Sequence, residues 1–168
     1  MNILVIAGEI SSDIYGAEII KQLIAQKPDI TVFGIGGNKI KNECHTFISN
    51  IAHKHAIGIL ERIDKIKFYN DLCKKLREFL SKNKIHKAVL IDNPHYNFKL
   101  AKIIKEFDIP IVSYITPYFW MFPDLKKVKR LVDYSKKIIT IYKKEYEIYN
   151  RFTPEVYYFG HPLISLIN

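Results

Sequence analysis

The sequence predicts a doubly wound α/β domain built on a mostly parallel sheet. Three observations predict it. Short apolar runs rich in β-branched residues recur along the 168 residues, and stretches of helical period separate them. Most of the runs are continuous rather than alternating, as in strands covered on both faces. The runs are 3–7, 30–35, 87–91, 110–115, 137–141 and 155–159.

The intervening stretches read as helices. Over 13–26, Gly16, Ile19, Ile20, Leu23 and Ile24 form one apolar stripe, with Ser11 or Ser12 placed to cap the first turn. Over 64–83, Ile66, Tyr69, Leu72, Cys73, Leu76, Phe79 and Leu80 repeat at helical spacing. Further helices are expected over 97–107, 123–134 and 143–152. The stretch 38–63 has no clear period, and a short helix, a short strand and a long loop are expected there. No repeat, low-complexity tract or linker interrupts the chain, so one domain over 1–168 is the reading.

With 48% hydrophobic and 26% charged residues, the chain can bury a core, which excludes disorder as its main state. No apolar run approaches the ~20 residues that cross a bilayer, and no basic region precedes the short apolar run at the start. A cytoplasmic protein is therefore expected. Cys44 and Cys73 fall in no ligand pattern, and His53-Lys54-His55 has no third ligand nearby, so neither metal nor cofactor is expected. The net charge of +9 points to an anionic partner: nucleic acid, an anionic membrane face or a phosphorylated small substrate. Lysines on solvated helix faces give the same charge with no partner at all.

Ligands of doubly wound sheets bind beyond the carboxyl ends of the strands. Gly8 to Asp13 leads from the first strand into the first helix, where backbone N–H groups favour an anion. It is neither a GxGxxG fingerprint nor a P-loop. Glu9 would repel an anion and suits sugar hydroxyls, while Ser11, Ser12 and Asp13 read equally as helix caps. Gly34-Ile35-Gly36-Gly37 is a tight turn or a close approach of backbone to ligand. Asp92 ends a buried strand, where burial favours a general base. It suits equally a cap for the turn Asn93-Pro94-His95 or for a helix from Asn97. His95 is a second titratable group on that loop. Tyr118-Phe119-Trp120-Met121-Phe122, followed by Lys126, Lys127, Lys129 and Arg130, suits an anionic lipid interface or stacking on single-stranded nucleic acid. The aromatics would also serve as core.

In order along the chain, these loops resemble the N-terminal half of lipid-A-disaccharide synthase, a two-domain glycosyltransferase of the GT-B type. That family carries GExSGD, GxGG, a Met-Gly pair, IDxPDFN, YxSPxxWAW, FExxFY and GHPL. This chain reads Gly8-Glu9-Ile10-Ser11-Ser12-Asp13, Gly34-Ile35-Gly36-Gly37, Ile57-Gly58, Ile91-Asp92-Asn93-Pro94-His95-Tyr96-Asn97, Tyr114-Ile115-Thr116-Pro117-Tyr118-Phe119-Trp120, Glu145 to Tyr149, and Gly160-His161-Pro162-Leu163.

The resemblance implies a Rossmann-like fold and a hexosyltransferase of lipid A (lipopolysaccharide) biosynthesis. Such an enzyme joins UDP-2,3-diacylglucosamine to 2,3-diacylglucosamine 1-phosphate, forms the β-1,6-linked disaccharide and releases UDP. It implies Asp92 as general base and Glu9 as a second catalytic carboxylate. Ser11, Ser12, Asp13, Gly36, Gly37, Asn93, His95, Asn97, Pro117 and Trp120 are implied to bind substrate. Phe119, Trp120, Phe122, Lys126, Lys127, Lys129 and Arg130 are implied to meet an anionic membrane, the inner face of the inner membrane. No metal, cofactor or nucleic acid is implied.

Ser12 stands for the family glycine, Ile57 for methionine, His95 for aspartate, Met121-Phe122 for Ala-Trp and Lys143-Lys144 for Pro-Phe. Asn168 lies where the family passes into its donor-binding domain. The expectation is an acceptor-binding domain whose donor-binding domain is separate or missing. A non-catalytic lipid-phosphate-binding or interaction module, a related GT-B enzyme with another nucleotide sugar, and a basic nucleic-acid-binding protein are the alternatives.

Overall fold

The computed structural model describes residues 1–51, 59–92, 94–116 and 124–162, with backbone only for 59–65 and 94–96. Strand β1 (Asn2–Ala7) is followed by α1 (Ile10–Gln26), β2 (Thr31–Gly36), α2 (Asn38–Glu43) and β3 (Thr46–Asn50). Helix α3 (Ile59–Lys82) then leads to β4 (Lys87–Ile91), α4 (Pro94–Lys105) and β5 (Ile111–Tyr114). The described chain continues through α5 (Leu125–Tyr134), β6 (Lys137–Thr140), α6 (Lys143–Tyr149) and β7 (Val156–Tyr158).

The strands form one sheet in the order β3-β2-β1-β4-β5-β6-β7, and every pairing is parallel. The first three strands step one way. Helix α3 then carries the chain back across to β4, and the rest step the other way. The order therefore reverses between β1 and β4, which opens a crevice beyond their carboxyl ends.

Two apolar layers hold the sheet. On one face Leu4, Ile6, Ile35 and Leu90 pack with Leu72, Leu76 and Leu80 of α3 and Leu100 and Ile104 of α4. On the other, Ile3, Val5 and Ala7 pack with Ile20 of α1 and Ile40 of α2. A third cluster of Val128, Leu131, Ile138, Tyr149 and Val156 closes the far edge with α5 and α6. Such double coverage explains why the strand sequences are continuous apolar runs.

Glycines of α1 and β2 serve the packing of α1 on α2. A Cβ on Gly16 would meet Ile40 Cδ1 at 2.5 Å, one on Gly34 would meet Ile40 Cγ2 at 2.5 Å, and one on Gly36 would meet Ile40 Cδ1 at 2.7 Å. Ile40 thus sits fully buried in a cradle that only missing side chains leave open.

Candidate functional site

The crevice is built from the ends of β1, β4, β5 and β6. Glu9 follows β1 as the N-cap residue of α1. The Ser12 hydroxyl accepts from the Glu9 N–H at 2.9 Å and donates to the Glu9 carbonyl at 3.0 Å, so Ser12 fixes the turn on which Glu9 stands. Ser12 is itself buried, whereas Ser11 is exposed on the first turn.

Asp13 is bound to the start of α2. Its carboxylate accepts the N–H groups of Gly37 at 2.7 Å, Lys39 at 2.9 Å and Ile40 at 3.1 Å. Gly36 and Gly37 form the turn that brings these donors together. A Cβ on Gly36 would lie 3.0 Å from the Asp13 Oδ1. The close approach at this turn is thus to Asp13 and Ile40.

Asp92 follows β4 with φ 46, the left-handed region that Asp tolerates better than most residues. Its N–H is shared between the carbonyls of Tyr114 and Ile115, 3.1 Å from each. The buried Asn97 amide donates to the Asp92 carbonyl and, at 3.4 Å, to that of Ile91. Asn97 therefore holds the Asp92 turn from the first turns of α4. Ile115 also turns left-handed, with φ 58, which for a β-branched residue costs roughly 1–3 kcal/mol. Two neighbouring strands thus end in turns of rare geometry, a feature that clusters at functional sites.

Three rings complete the crevice. His161 packs against Tyr15, with ring centroids 6.4 Å apart, and against Tyr142 at 5.7 Å. Burial first, then Tyr142 and the Asp92 charge, push the Tyr15 phenol above its ordinary pKa, which places Tyr15 within electrostatic reach of Asp92.

Within electrostatic reach of Asp92 lies Glu145, the first-turn acid of α6, which is 1% exposed. Burial drives its carboxyl up to about 7. Thr116 and the backbone of Tyr142 and Ile141 oppose the rise, and the Asp92 charge adds to it. Among the described residues, Asn97 Oδ1 is buried with no hydrogen-bond partner. Polar atoms are rarely left this way in folded chains.

The folded pKa of Glu145 lies above its unfolded value, so the native state holds a proton that the unfolded chain has released. Its contribution is at its best below about pH 4.5 and is lost as pH rises to about 7. Glu145→Gln removes the titration. The loss in the wild type is on the order of 3 kcal/mol, and the variant should escape it. Urea unfolding at pH 4.5, 6 and 8 checks this. Parallel pH profiles for the two proteins would refute it.

At the far edge, Asp124 caps α5 by accepting the N–H groups of Lys126 and Lys127 at 3.1 and 3.2 Å. Val128 and Leu131 face the core, which leaves Lys126, Lys127, Lys129 and Arg130 exposed. Arg130 lies over the Phe98 ring at 4.6 Å, and Lys127 pairs with Asp124 at 3.2 Å. The expected site residues Asn93, Pro117, Phe119, Trp120 and Phe122 lie outside the described residues, as do 53–58 and the His95 side chain.

The structure therefore gathers Glu9, Asp92 and Asn97 at the crevice and commits Ser12, Asp13, Gly36 and Gly37 to its scaffold. Tyr15 and Tyr142 share the site without having been singled out, and Thr116, Glu145 and His161 join them from motif runs in which they had been given no role. One signal was available for Glu145: Tyr142, Glu145 and Tyr149 follow helical spacing, which puts a carboxylate on an apolar-facing stripe. No group of three or more His, Cys, Asp or Glu among the described residues could hold a metal ion.

The strand order and crevice define a Rossmann-like α/β domain. UDP-N-acetylglucosamine 2-epimerase from Rickettsia bellii superposes with a TM-score of 0.69 at 14% identity, covering 99% of this chain and 46% of that one. MurG from Acinetobacter baumannii superposes at 0.60 and 9% identity, covering 95% and 45%.

The family model for lipid-A-disaccharide synthetase matches residues 3–168, and the chain belongs to that family. Lipid-A-disaccharide synthases from Myxococcus xanthus (strain DK1622) and Koribacter versatilis (strain Ellin345) are 30% and 33% identical to it, over 98% and 99% of its length. It spans 43% and 44% of those relatives.

Proposed function

We propose that this chain is the acceptor-binding half of a lipid A glycosyltransferase. The reaction is transfer of 2,3-diacylglucosamine from UDP to the 6-hydroxyl of 2,3-diacylglucosamine 1-phosphate. The observation that carries this reading is Asp92, held by Asn97 and two backbone carbonyls at the point where strand order reverses. A carboxylate there can take the hydroxyl proton as oxygen attacks the sugar carbon and UDP leaves. Glu9, across the crevice at the end of β1, is suited to orient sugar hydroxyls. Donor binding falls to a separate domain, in keeping with relatives more than twice as long. Because the transition state needs both substrates held together, efficient transfer requires that domain.

The acceptor carries fatty-acyl chains and a phosphate, so the site must work at a membrane surface. The exposed cations of α5 and the aromatic sequence 118–122 suit the anionic inner face of the inner membrane. No described helix is long and apolar enough to cross a membrane, and peripheral attachment is the proposal.

Calorimetric titration with 2,3-diacylglucosamine 1-phosphate and with UDP, below the lipid's aggregation threshold, tests the assignment. Saturable binding of the lipid with none of UDP is expected. UDP binding without lipid binding would overturn it.

A further inference from the structure

Glu145 is an acid to which the proposed transfer gives no role, buried in the first turn of α6 where a carboxyl without partners is costly. Its surroundings are polar. The Thr116 hydroxyl and the backbone of Ile141 and Tyr142, where β6 ends, interact with its carboxyl. Thr116 is equally buried and interacts as well with the Tyr149 hydroxyl, one turn further along α6. A single hydroxyl thus links α6 to the chain that leaves β5.

That link bears on the turn that presents Asp92. Strands β4, β5 and β6 are neighbours, so their carboxyl ends lie side by side. Thr116 directly follows Ile115, whose left-handed φ of 58 persists only where the surroundings hold it. On the β6 side the Ile115 N–H donates to the Ile139 carbonyl at 3.0 Å. On the other side Thr116, against Glu145, holds the next residue. The carbonyls of Tyr114 and Ile115 in turn accept the Asp92 N–H, 3.1 Å from each. Glu145, Thr116, Ile115 and Asp92 therefore form one connected series from α6 to the crevice.

We propose that Glu145 is a positioning residue for Asp92: as a neutral acid against Thr116 it fixes the turn that presents Asp92 and leaves the charge of the pair on Asp92. The inference rests on the reading of Asp92 as the base at the acceptor site. Two carboxylates that feel each other do not readily both ionise, and the buried one keeps its proton. Burial holds Glu145 protonated up to about pH 7, and the Asp92 charge reinforces this. Tyr149 faces Glu145 from its own helix, with Tyr134 of α5 behind it, and burial keeps both phenols uncharged. Tyr15 of α1 faces Asp92, and Lys143 and Lys144 of α6 are exposed.

The test follows the carboxyl and amide signals of the whole chain by NMR across a pH titration, for the wild type, Glu145→Gln, Thr116→Val and Thr116→Ser. In the wild type the Glu145 carboxyl should titrate near neutral pH, and the Asp92 carboxyl and amide signals should move in the same step. Glu145→Gln keeps a neutral polar group against Thr116, so the step should vanish while the Asp92 amide keeps its low-pH position. Thr116→Val removes a group that favours ionised Glu145, so the step should move to higher pH and the Asp92 amide should shift. Thr116→Ser should restore both. If Thr116→Val does not fold, the comparison with Glu145→Gln still decides.

An Asp92 signal with no step at the Glu145 titration, or with a step that survives Glu145→Gln, would overturn the proposal. So would an Asp92 amide that a folded Thr116→Val leaves unmoved. None of these readings needs lipid, so each leaves the acceptor reading to the titration with 2,3-diacylglucosamine 1-phosphate. The expected step in a chain that binds no acceptor would keep the link between Glu145 and Asp92 and sink the acceptor reading.

Discussion

In an enzyme completed with a donor-binding half, Asp92→Asn is expected to slow disaccharide formation by roughly 10²–10⁴-fold, the range of general acid–base catalysis. Acceptor affinity should stay close to that of the wild type. The substitution tests the base because the backbone bonds that hold this turn are kept. Asparagine tolerates the left-handed conformation at φ 46 about as well as aspartate. The N–H bonds to Tyr114 and Ile115 and the Asn97 clamp on the carbonyl do not involve the side chain. What disappears is the carboxylate that accepts a proton.

The loss should accordingly fall on kcat with little change in KM, as for a group that acts only in the transition state. Asp92→Ala would add backbone strain and confuse the two effects. The measurement is UDP release by the chain fused to the remaining portion of the Koribacter versatilis relative, with the active parent fusion as reference. A variant that turns over within tenfold of its parent would remove Asp92 from the role of base.

The strands were legible because burial on both faces writes itself as a continuous apolar run. The predicted 87–91 coincides with β4 (Lys87–Ile91), and other strand ends shift by a residue or so. Helix starts were harder to read. Helix α1 begins at Ile10 rather than 13, because Glu9 is the N-cap and Ser12 reaches back to it from inside the first turn. Helix α4 begins at Pro94 rather than 97, because proline in a first turn lacks only an N–H that would have no partner there. Helix α2 and β3 are too short for any period to show.

The crevice itself followed from the rule that ligands sit beyond strand ends. Its chemistry followed only in part. Asp13 bonds to residues 24 to 27 positions away, and His161 meets Tyr15 from the other end of the chain. Local sequence carries no signal for such pairings, so a buried carboxylate that caps a distant helix reads the same as one that faces a ligand.

That ambiguity makes Asp13 the most informative residue for stability. Helix α2 begins after Gly37, which has no side chain with which to cap it. The carboxylate of Asp13 supplies the missing cap from α1, with three N–H bonds of 2.7 to 3.1 Å. At 5% exposure no water can replace it without repacking. Asp13→Ala leaves the Gly37 and Ile40 N–H groups buried without an acceptor, at about 1–3 kcal/mol each, and also removes the favourable charge at the helix start. A loss of roughly 3–5 kcal/mol follows, lowering the melting temperature by about 10 °C or more in a chain of this size.

Asp13→Asn should lose less, since Oδ1 can still accept from Gly37 and Ile40 while the new amide faces the Lys39 N–H donor. Thermal and urea unfolding of both variants beside the wild type checks the order. Wild-type stability in Asp13→Ala, combined with lost acceptor binding, would move Asp13 from the scaffold into the ligand site.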